Sequence, residues 1–173
     1  MPTTGIPLPF ARRSGEAQAT VPATTGSTAS GVHDRGAMHS ARPLAGYEVL
    51  VVEDDADSRE AIRLTLEASG ARVATAASAS EALAALAARP CDVVVSDLAM
   101  PEQSGFWLIA KIRQLFPRRH VPVIAVTGHP FPADGVRRAG FDEVMQKPPD
   151  PDRLCATVAA LLSARDTPDV PHE

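Results

Sequence analysis

Several features that mark particular classes of protein are missing from this sequence of 173 residues. Its formal net charge of −4 provides no basic surface for nucleic acid. No apolar run approaches the roughly 18 residues that a membrane-spanning helix requires. No apolar segment follows Arg12 and Arg13, so the N-terminal region does not have the pattern of a secretory signal. We therefore expect a cytoplasmic protein without a membrane segment.

Cysteine and histidine are too few and too scattered to suggest a disulfide framework or a zinc site. The two cysteines, Cys91 and Cys155, lie far apart in the chain, and the five histidines form no cluster of ligands. This pattern favours two reduced thiols in a cytoplasmic protein over a redox pair.

The first 45 residues differ in composition from the residues that follow. They are rich in Thr, Ala, Gly, Ser and Pro and have no sustained helical or strand period. Such a segment cannot bury enough apolar surface to offset the entropy lost on ordering. Residues 1–45 are therefore predicted to be a disordered tail. A passive extension is favoured over a linker or docking segment. Translation from Met38 instead of Met1 is an alternative, and residues 165–173 are predicted to be a short C-terminal tail.

Between residues 46 and 164, short β-branched runs alternate with helical patterns. Five βα units imply a parallel sheet with right-handed crossovers, and they are too few for a closed eight-stranded barrel. We predict an α/β fold, with a doubly wound five-stranded parallel sheet in the order 2-1-3-4-5 and five helices. The predicted strands lie in the segments YEVLVVED, RVATAA, CDVVVSD, VPVIAVT and DEVMQK.

Polar residues stand at the ends of four of these strands. Glu53 and Asp54 end the first strand, and Asp97 ends the third. Thr127 ends the fourth strand and Lys147 the fifth. In the predicted order the first and third strands are neighbours, so Asp97 would face the two acids. Ligands of open α/β sheets bind beyond this edge.

Carboxylates that approach each other need compensation. Two unit charges 4 Å apart cost about 1 kcal/mol in water and about 4 kcal/mol near a protein surface. A raised pKa is one solution and a bound cation is the other. Carboxylate and carbonyl oxygens suit Mg²⁺ or Mn²⁺. Together with the Thr127 hydroxyl and the Lys147 charge, they predict a site for a phosphoryl group, with Asp97 best placed as nucleophile.

Four landmarks in the expected order make residues 47–164 resemble the receiver domain of bacterial two-component response regulators, which has a flavodoxin-like fold. They are VLVVEDD, VVVSDLAMPEQSG, the step from Thr127 to Gly128, and MQKPP. The resemblance implies that Asp97 accepts a phosphoryl group from a histidine kinase or a phosphotransfer protein. It also implies phosphoryl contacts from Thr127 and Lys147, and a cis peptide between Lys147 and Pro148. The Mg²⁺ ligands that it implies are Glu53, Asp54, Asp97 and the backbone carbonyl of Ala99.

The sequence departs from the family's pattern in the region that usually transmits the signal. Many receivers have an aromatic residue three positions before the lysine, and Val144 occupies that position here. Pro130, Pro132 and Gly135 weaken the fourth predicted helix. We therefore expect the aromatic switch to be absent or rewired, and the output face of helix 4, strand 5 and helix 5 to be mobile or specialised.

Several other residues near the predicted site have simpler structural interpretations. Asp55 is expected to supply a helix N-terminal charge rather than a direct ligand. Glu53 is expected to act through a water molecule. Gly105 is expected to permit a close approach or to start the third helix, Trp107 to be a partly exposed surface aromatic, and His129 to be a solvated loop residue.

Three functions remain open from the sequence. The leading one is a stand-alone receiver that signals to a downstream protein target through protein contacts and has no DNA-binding output domain. The second is a Mg²⁺-dependent phosphohydrolase with an aspartate nucleophile, although Ala99 stands where such enzymes carry a second acid. The third is a receiver-like scaffold that does not switch, which Val144 keeps in consideration.

Overall fold

The computed structural model describes residues 42–117 and 120–166. Strands and helices alternate strictly in this part of the chain, as the sequence predicts. The elements are β1 (Glu48–Val52), α1 (Ala56–Ala68), β2 (Arg72–Ala76), α2 (Ala79–Ala88), β3 (Val93–Asp97), α3 (Gly105–Leu115), β4 (Val123–Thr127), α4 (Ala133–Arg138), β5 (Glu143–Gln146) and α5 (Pro151–Asp166).

The five strands form one parallel sheet in the order β2-β1-β3-β4-β5. The predicted fold class and strand order are therefore confirmed. Every residue of β3 and β4 is buried, which is why these strands are nearly continuous runs of Val, Ile and Ala. Helices on both faces of the sheet exclude water from these central strands, so their charged residues lie at the strand ends.

Local signals in the sequence set the ends of several helices. The side chain of Asp55 accepts a hydrogen bond from the N–H of Ser58 and caps α1. Gly70 follows that helix with φ +99°, a left-handed conformation that suits glycine. Ser78 caps α2 in the same manner as Asp55 caps α1. By contrast, α4 is six residues long and its N-cap, Pro132, makes no side-chain capping bond.

The folded unit includes residues that the sequence assigns to the N-terminal tail. Leu44 is fully buried, and its N–H donates to the carbonyl of Ser69 at 2.9 Å. At the other end, α5 continues to Asp166, two positions beyond the predicted limit at residue 164. The rest of the two predicted tails, residues 1–41 and 167–173, lies outside the described residues, so their disorder stays a prediction.

The sequence predicts no membrane-spanning helix and two reduced cysteines, and the described residues bear on both. Within residues 42–117 and 120–166, no helix is both long enough and apolar enough to cross a bilayer. Cys91 and Cys155 are buried and carry free thiols, as predicted.

Candidate functional site

Sheet register brings the predicted site residues to one edge. Val52 pairs with Ser96, so the residues that follow them, Glu53 and Asp97, stand at the same level. Across the sheet, Thr127 pairs with Gln146, and Lys147 follows directly. The parallel arrangement therefore collects at one edge side chains that are up to 94 residues apart in the chain (from 53 to 147).

Three carboxylates converge at this edge. Glu53, Asp54 and Asp97 each have a carboxylate oxygen within 4.8 Å of the others. Glu53 is 1% exposed and Asp97 is 5% exposed, whereas Asp54 lies at the surface. Carboxylates this close, two of them desolvated, repel one another strongly unless a cation lies among them.

Lys147 supplies one such cation. Its ammonium nitrogen lies 2.7 Å from Asp97 Oδ2 and 2.6 Å from Glu53 Oε2. Burial by itself disfavours the ammonium, but its hydrogen bond to Asp97, its ion pair with Glu53 and the negative charges of both acids outweigh that cost. The pKa of Lys147 is consequently raised above its ordinary value. The lysine is therefore charged and held between the two buried acids.

Glu53 remains incompletely satisfied despite this ion pair. Its Oε1 accepts the N–H of Asp55 at 3.3 Å. Its Oε2 is buried, and no aligned hydrogen-bond donor reaches it from the described residues, because the close Lys147 contact is an ion pair of poor hydrogen-bond geometry. Desolvation raises the pKa of Glu53 above its ordinary value, against the opposing effect of Lys147. A buried, under-coordinated carboxylate oxygen fits the donor set that Mg²⁺ prefers.

The backbone around Asp97 fixes the position of its carboxylate. Asp97 Oδ1 accepts the N–H of Ala99 at 3.0 Å, and the Ser96 hydroxyl donates to the Asp97 carbonyl at 2.9 Å. Gly105 starts α3 directly against this backbone. A Cβ atom on Gly105 would overlap the Asp97 carbonyl oxygen and lie 2.9 Å from Leu98 Cα. Both expectations for Gly105, close approach and helix start, are confirmed.

Thr127 lies at the end of β4 and is 3% exposed. Its Oγ1 accepts the N–H of His129 at 3.2 Å, so the hydroxyl contacts the loop that follows the strand. Its carbonyl accepts the N–H of Lys147 at 2.8 Å, which ties the ends of β4 and β5 together. The peptide between Lys147 and Pro148 is cis, as the family resemblance implies.

Arg59 also lies near the site, although no motif in the sequence points to it. From the first turn of α1, its Nη1 donates to the carbonyl of Glu53 at 2.6 Å and to that of Asp54 at 3.1 Å. A positive side chain in the first turn opposes the helix dipole. A positive charge near the start of a predicted helix is therefore the feature of the sequence that could have pointed to Arg59.

Besides Val144 at the position of the usual aromatic residue, the structure contains aromatic contacts that sequence spacing does not predict. Val144 is partly buried. The ring of Phe106, on α3, packs edge-on against Phe131 at 5.6 Å and against Phe141 at 5.9 Å between centroids. Phe131 precedes α4 and is 41% exposed. The column of three rings therefore runs from the core to the loop that follows Thr127.

The simpler interpretations of three neighbouring residues are confirmed. Asp55 caps α1 and points its carboxylate at Ser58. Trp107 is partly exposed, and Lys111 Nζ lies 5.8 Å from the centre of its ring. His129 is an exposed loop residue.

Comparison with known proteins supports a single family. The family model for the response regulator receiver domain matches residues 49–159. An uncharacterised 14.6 kDa protein of Leptolyngbya boryana, from the 3′ region of sodA1, is 41% identical over 117 residues. That alignment covers 66% of this chain and 89% of the relative.

Two further similarities extend the comparison to a regulator and to a solved structure. The C4-dicarboxylate transport transcriptional regulatory protein DctD of Rhizobium meliloti is 40% identical over 113 residues. This alignment covers 64% of the chain but only 24% of DctD. The crystal structure of a response regulator receiver domain protein from Clostridium thermocellum superimposes with a TM-score of 0.64 at 29% identity. The superposition covers 70% of this chain and 97% of that protein.

Proposed function

The chain belongs to the response regulator receiver domain family, and from this premise we propose that Asp97 accepts a phosphoryl group from a partner protein in a Mg²⁺-dependent reaction. Phosphorylation and Mg²⁺ binding are general in the family. The observation that carries the proposal is the convergence of the Glu53, Asp54 and Asp97 carboxylates within 4.8 Å, with Lys147 against two of them.

The donor set fits the metal. Glu53, Asp54 and Asp97 offer hard carboxylate oxygens, and the backbone carbonyl of Ala99 completes the proposed protein ligands. When bound, Mg²⁺ would neutralise charge on the phosphoryl oxygens as a Lewis acid. Mn²⁺ suits the same oxygen ligands. Glu53 has one oxygen against the Asp55 N–H and one under-coordinated, so it can contribute through a water molecule, as the sequence analysis expects.

The proposed transfer uses the carboxylate of Asp97 as nucleophile. One of its oxygens attacks the phosphorus of a phosphohistidine on the donor, and the P–N bond breaks as its electron pair returns to the imidazole. The product is an aspartyl phosphate on Asp97. Lys147 would move its hydrogen bond from Asp97 Oδ2 to a phosphoryl oxygen, and the Thr127 hydroxyl would donate to another.

The proposed partners are a histidine kinase or a phosphotransfer protein upstream and a protein target downstream, with the exchange in the cytoplasm. The family is regulatory, and Ala99 stands where an aspartate-nucleophile hydrolase would carry its second acid. Both points support a phosphorylation-controlled module over a hydrolase. The chain spans 24% of DctD and 89% of the Leptolyngbya relative, and signalling to the downstream target through protein contacts is part of this proposal.

Acetyl phosphate labelling in the presence of Mg²⁺ tests the proposal. We expect the native protein to be labelled and Asp97→Asn to show no label, because an amide oxygen is a poor nucleophile. Asp55→Asn is the matched control. It makes the same chemical change two residues from Glu53, and asparagine still caps a helix, so labelling should persist.

Three outcomes would count against the proposal in different ways. Label on Asp97→Asn would mean that the acceptor is another residue. A native protein that takes no label and binds no Mg²⁺ would favour the non-switching scaffold. Sustained release of phosphate from an external phosphomonoester would favour the hydrolase.

A further inference from the structure

Arg59 makes its contacts with the backbone of the acidic loop, not with its carboxylates. Glu53 and Asp54 leave β1 consecutively, and both of their carbonyl oxygens accept from the same Arg59 Nη1, at 2.6 and 3.1 Å. The N–H of Arg59 donates to the carbonyl of Asp55 at 3.0 Å. That bond is the first backbone hydrogen bond of α1, which any residue except proline would make, so the Arg59 side chain itself holds two successive peptide groups, at positions 53 and 54.

These contacts hold the backbone from which two of the three carboxylates extend. A strand that has left its ladder loses the hydrogen bonds that fix its peptide planes. The N–H of Glu53 still donates to the carbonyl of Ala76 at 3.1 Å, and the Arg59 guanidinium supplies a donor for the carbonyls of Glu53 and Asp54. Charge-assisted bonds to a guanidinium are shorter and stronger than neutral ones. Lys147 and the Asp55 N–H contact the Glu53 carboxylate itself, whereas Arg59 holds the backbone that carries the Glu53 and Asp54 side chains.

The position of Arg59 also carries an electrostatic cost. Its positive charge lies in the first turn of α1, where the helix dipole disfavours cations. The same charge also lies beside a proposed dication site and repels that dication. An arginine stands at this position although its charge is unfavourable in both respects. This indicates that the hydrogen bonds of its guanidinium, rather than its charge, are the reason for its presence there.

We propose that Arg59 is a positioning residue of the phosphoryl-transfer site, which holds the Glu53 and Asp54 backbone so that their carboxylates meet Asp97. The inference rests on the proposed function, because it concerns the same carboxylates. It concerns a different step, namely the arrangement of the metal ligands before any phosphoryl donor arrives.

The sign of the effect on Mg²⁺ affinity separates positioning from charge. If Arg59 acted through its charge, Arg59→Gln would remove a repulsive cation and Mg²⁺ would bind more tightly. If Arg59 positions the loop, the same change weakens Mg²⁺ binding, as loss of an outer contact of a metal site typically does by about tenfold or more. A purely structural role would lower stability and leave the affinity of the folded protein unchanged.

The experiment is a calorimetric titration of the full chain with MgCl₂, with urea unfolding in the absence of metal. Arg63→Gln is the matched control, because Arg63 lies one turn further along α1 and pairs with Glu60 and Glu67. It removes the same charge without touching the acidic loop. We expect Arg59→Gln to weaken binding about tenfold and Arg63→Gln to change it by less than about twofold.

Each result has a defined consequence. Unchanged or tighter binding by Arg59→Gln, or equal weakening in both variants, would overturn the inference while leaving the proposed function intact. A native protein without measurable Mg²⁺ binding would overturn both. Arg59→Met, which keeps the aliphatic stem and lacks the donor, is the second variant if Arg59→Gln does not fold, and the same loss is expected of it.

Discussion

Lys147 offsets part of the charge of the two buried acids of the site. Sequence spacing predicts that this lysine contacts a phosphoryl group. The structure adds that its ammonium already lies within 2.7 Å of Asp97 and 2.6 Å of Glu53. The lysine therefore acts first as an internal counter-ion, and its bonds are the ones that an incoming phosphoryl group would take over. Removal of one partner from a buried pair leaves an uncompensated charge, which costs more than the pair itself contributes.

We predict that Lys147→Met destabilises the metal-free protein by about 2–3 kcal/mol at pH 7.5. This loss is below the usual range for breaking a buried ion pair, because the lysine side chain is 22% exposed. Without Lys147, desolvation raises the pKa of Glu53 further. The folded variant then takes up a proton as the pH falls, whereas the unfolded chain does so only near the ordinary glutamate value. Its stability deficit should therefore shrink towards pH 5.

Urea unfolding at pH 7.5 and at pH 5 measures this difference. Lys111→Met removes a lysine that contacts Gln114 and the Trp107 ring, and it should change the free energy of unfolding by about 0.5 kcal/mol or less at either pH. An equal deficit for Lys147→Met at both pH values would show that loss of packing, not of charge compensation, is responsible.

At the scale of elements, α4 differs from the other helices. It has six residues, no side-chain cap, and Val136 as its one buried residue. The segment before it is held by the edge-on contact of Phe131 with Phe106. A short element with few buried contacts opens at a low free-energy cost compared with the rest of the structure. The prolines and Gly135 predict this weakness from the sequence, while the ring contact that holds the segment is a tertiary feature.

We predict that Gly135→Ala strengthens α4. A Cβ atom at this position meets nothing within 4 Å, and alanine is favoured over glycine in a helix by about 1 kcal/mol. Amide protection of the residues that follow in α4 should rise about threefold to fivefold in native-state hydrogen exchange, with β4 unchanged.

The same substitution at Gly140 is the control for α4. Gly140 has φ +109°, which an alanine adopts only with strain. Gly140→Ala should therefore lower protection in α4 and β5. Similar effects of the two substitutions would mean that backbone conformation does not govern the stability of this segment.

At the scale of the whole molecule, the chain before β1 is part of the core. Leu44 belongs to the same apolar cluster as Ile62 and Leu66 of α1 and Leu154 and Val158 of α5. It closes the end of the layer that these two helices form on one face of the sheet. A composition that is poor in apolar residues hides this role, because a single leucine gives no periodic signal.

We predict that Leu44→Ala costs about 2–4 kcal/mol in the free energy of unfolding, the usual loss for a buried leucine. Leu64→Ala is the matched control, since that side chain is 52% exposed, and it should cost about 0.5 kcal/mol or less. Denaturant titration of both variants provides the comparison. Equal, small losses would mean that the folded unit starts after residue 44, as the composition of the tail predicts.

The sequence by itself determined the elements of this protein and the chemistry at their ends. Alternating strand and helix periods depend on neighbouring residues, so they can be read locally, and they imply a parallel sheet with right-handed crossovers. The acids of residues 53, 54 and 97, with Thr127 and Lys147, could be assigned to one edge because the carboxyl ends of parallel strands meet there.

Only the tertiary structure decided which of these groups touch. Three such contacts are the pairing of Lys147 with both buried acids, the bonds from Arg59 to two carbonyls, and the burial of Leu44 in the core. Such contacts depend on register, on helix packing and on the reach of long side chains. Those quantities follow from how the layers fit together, and no local period in the chain encodes them.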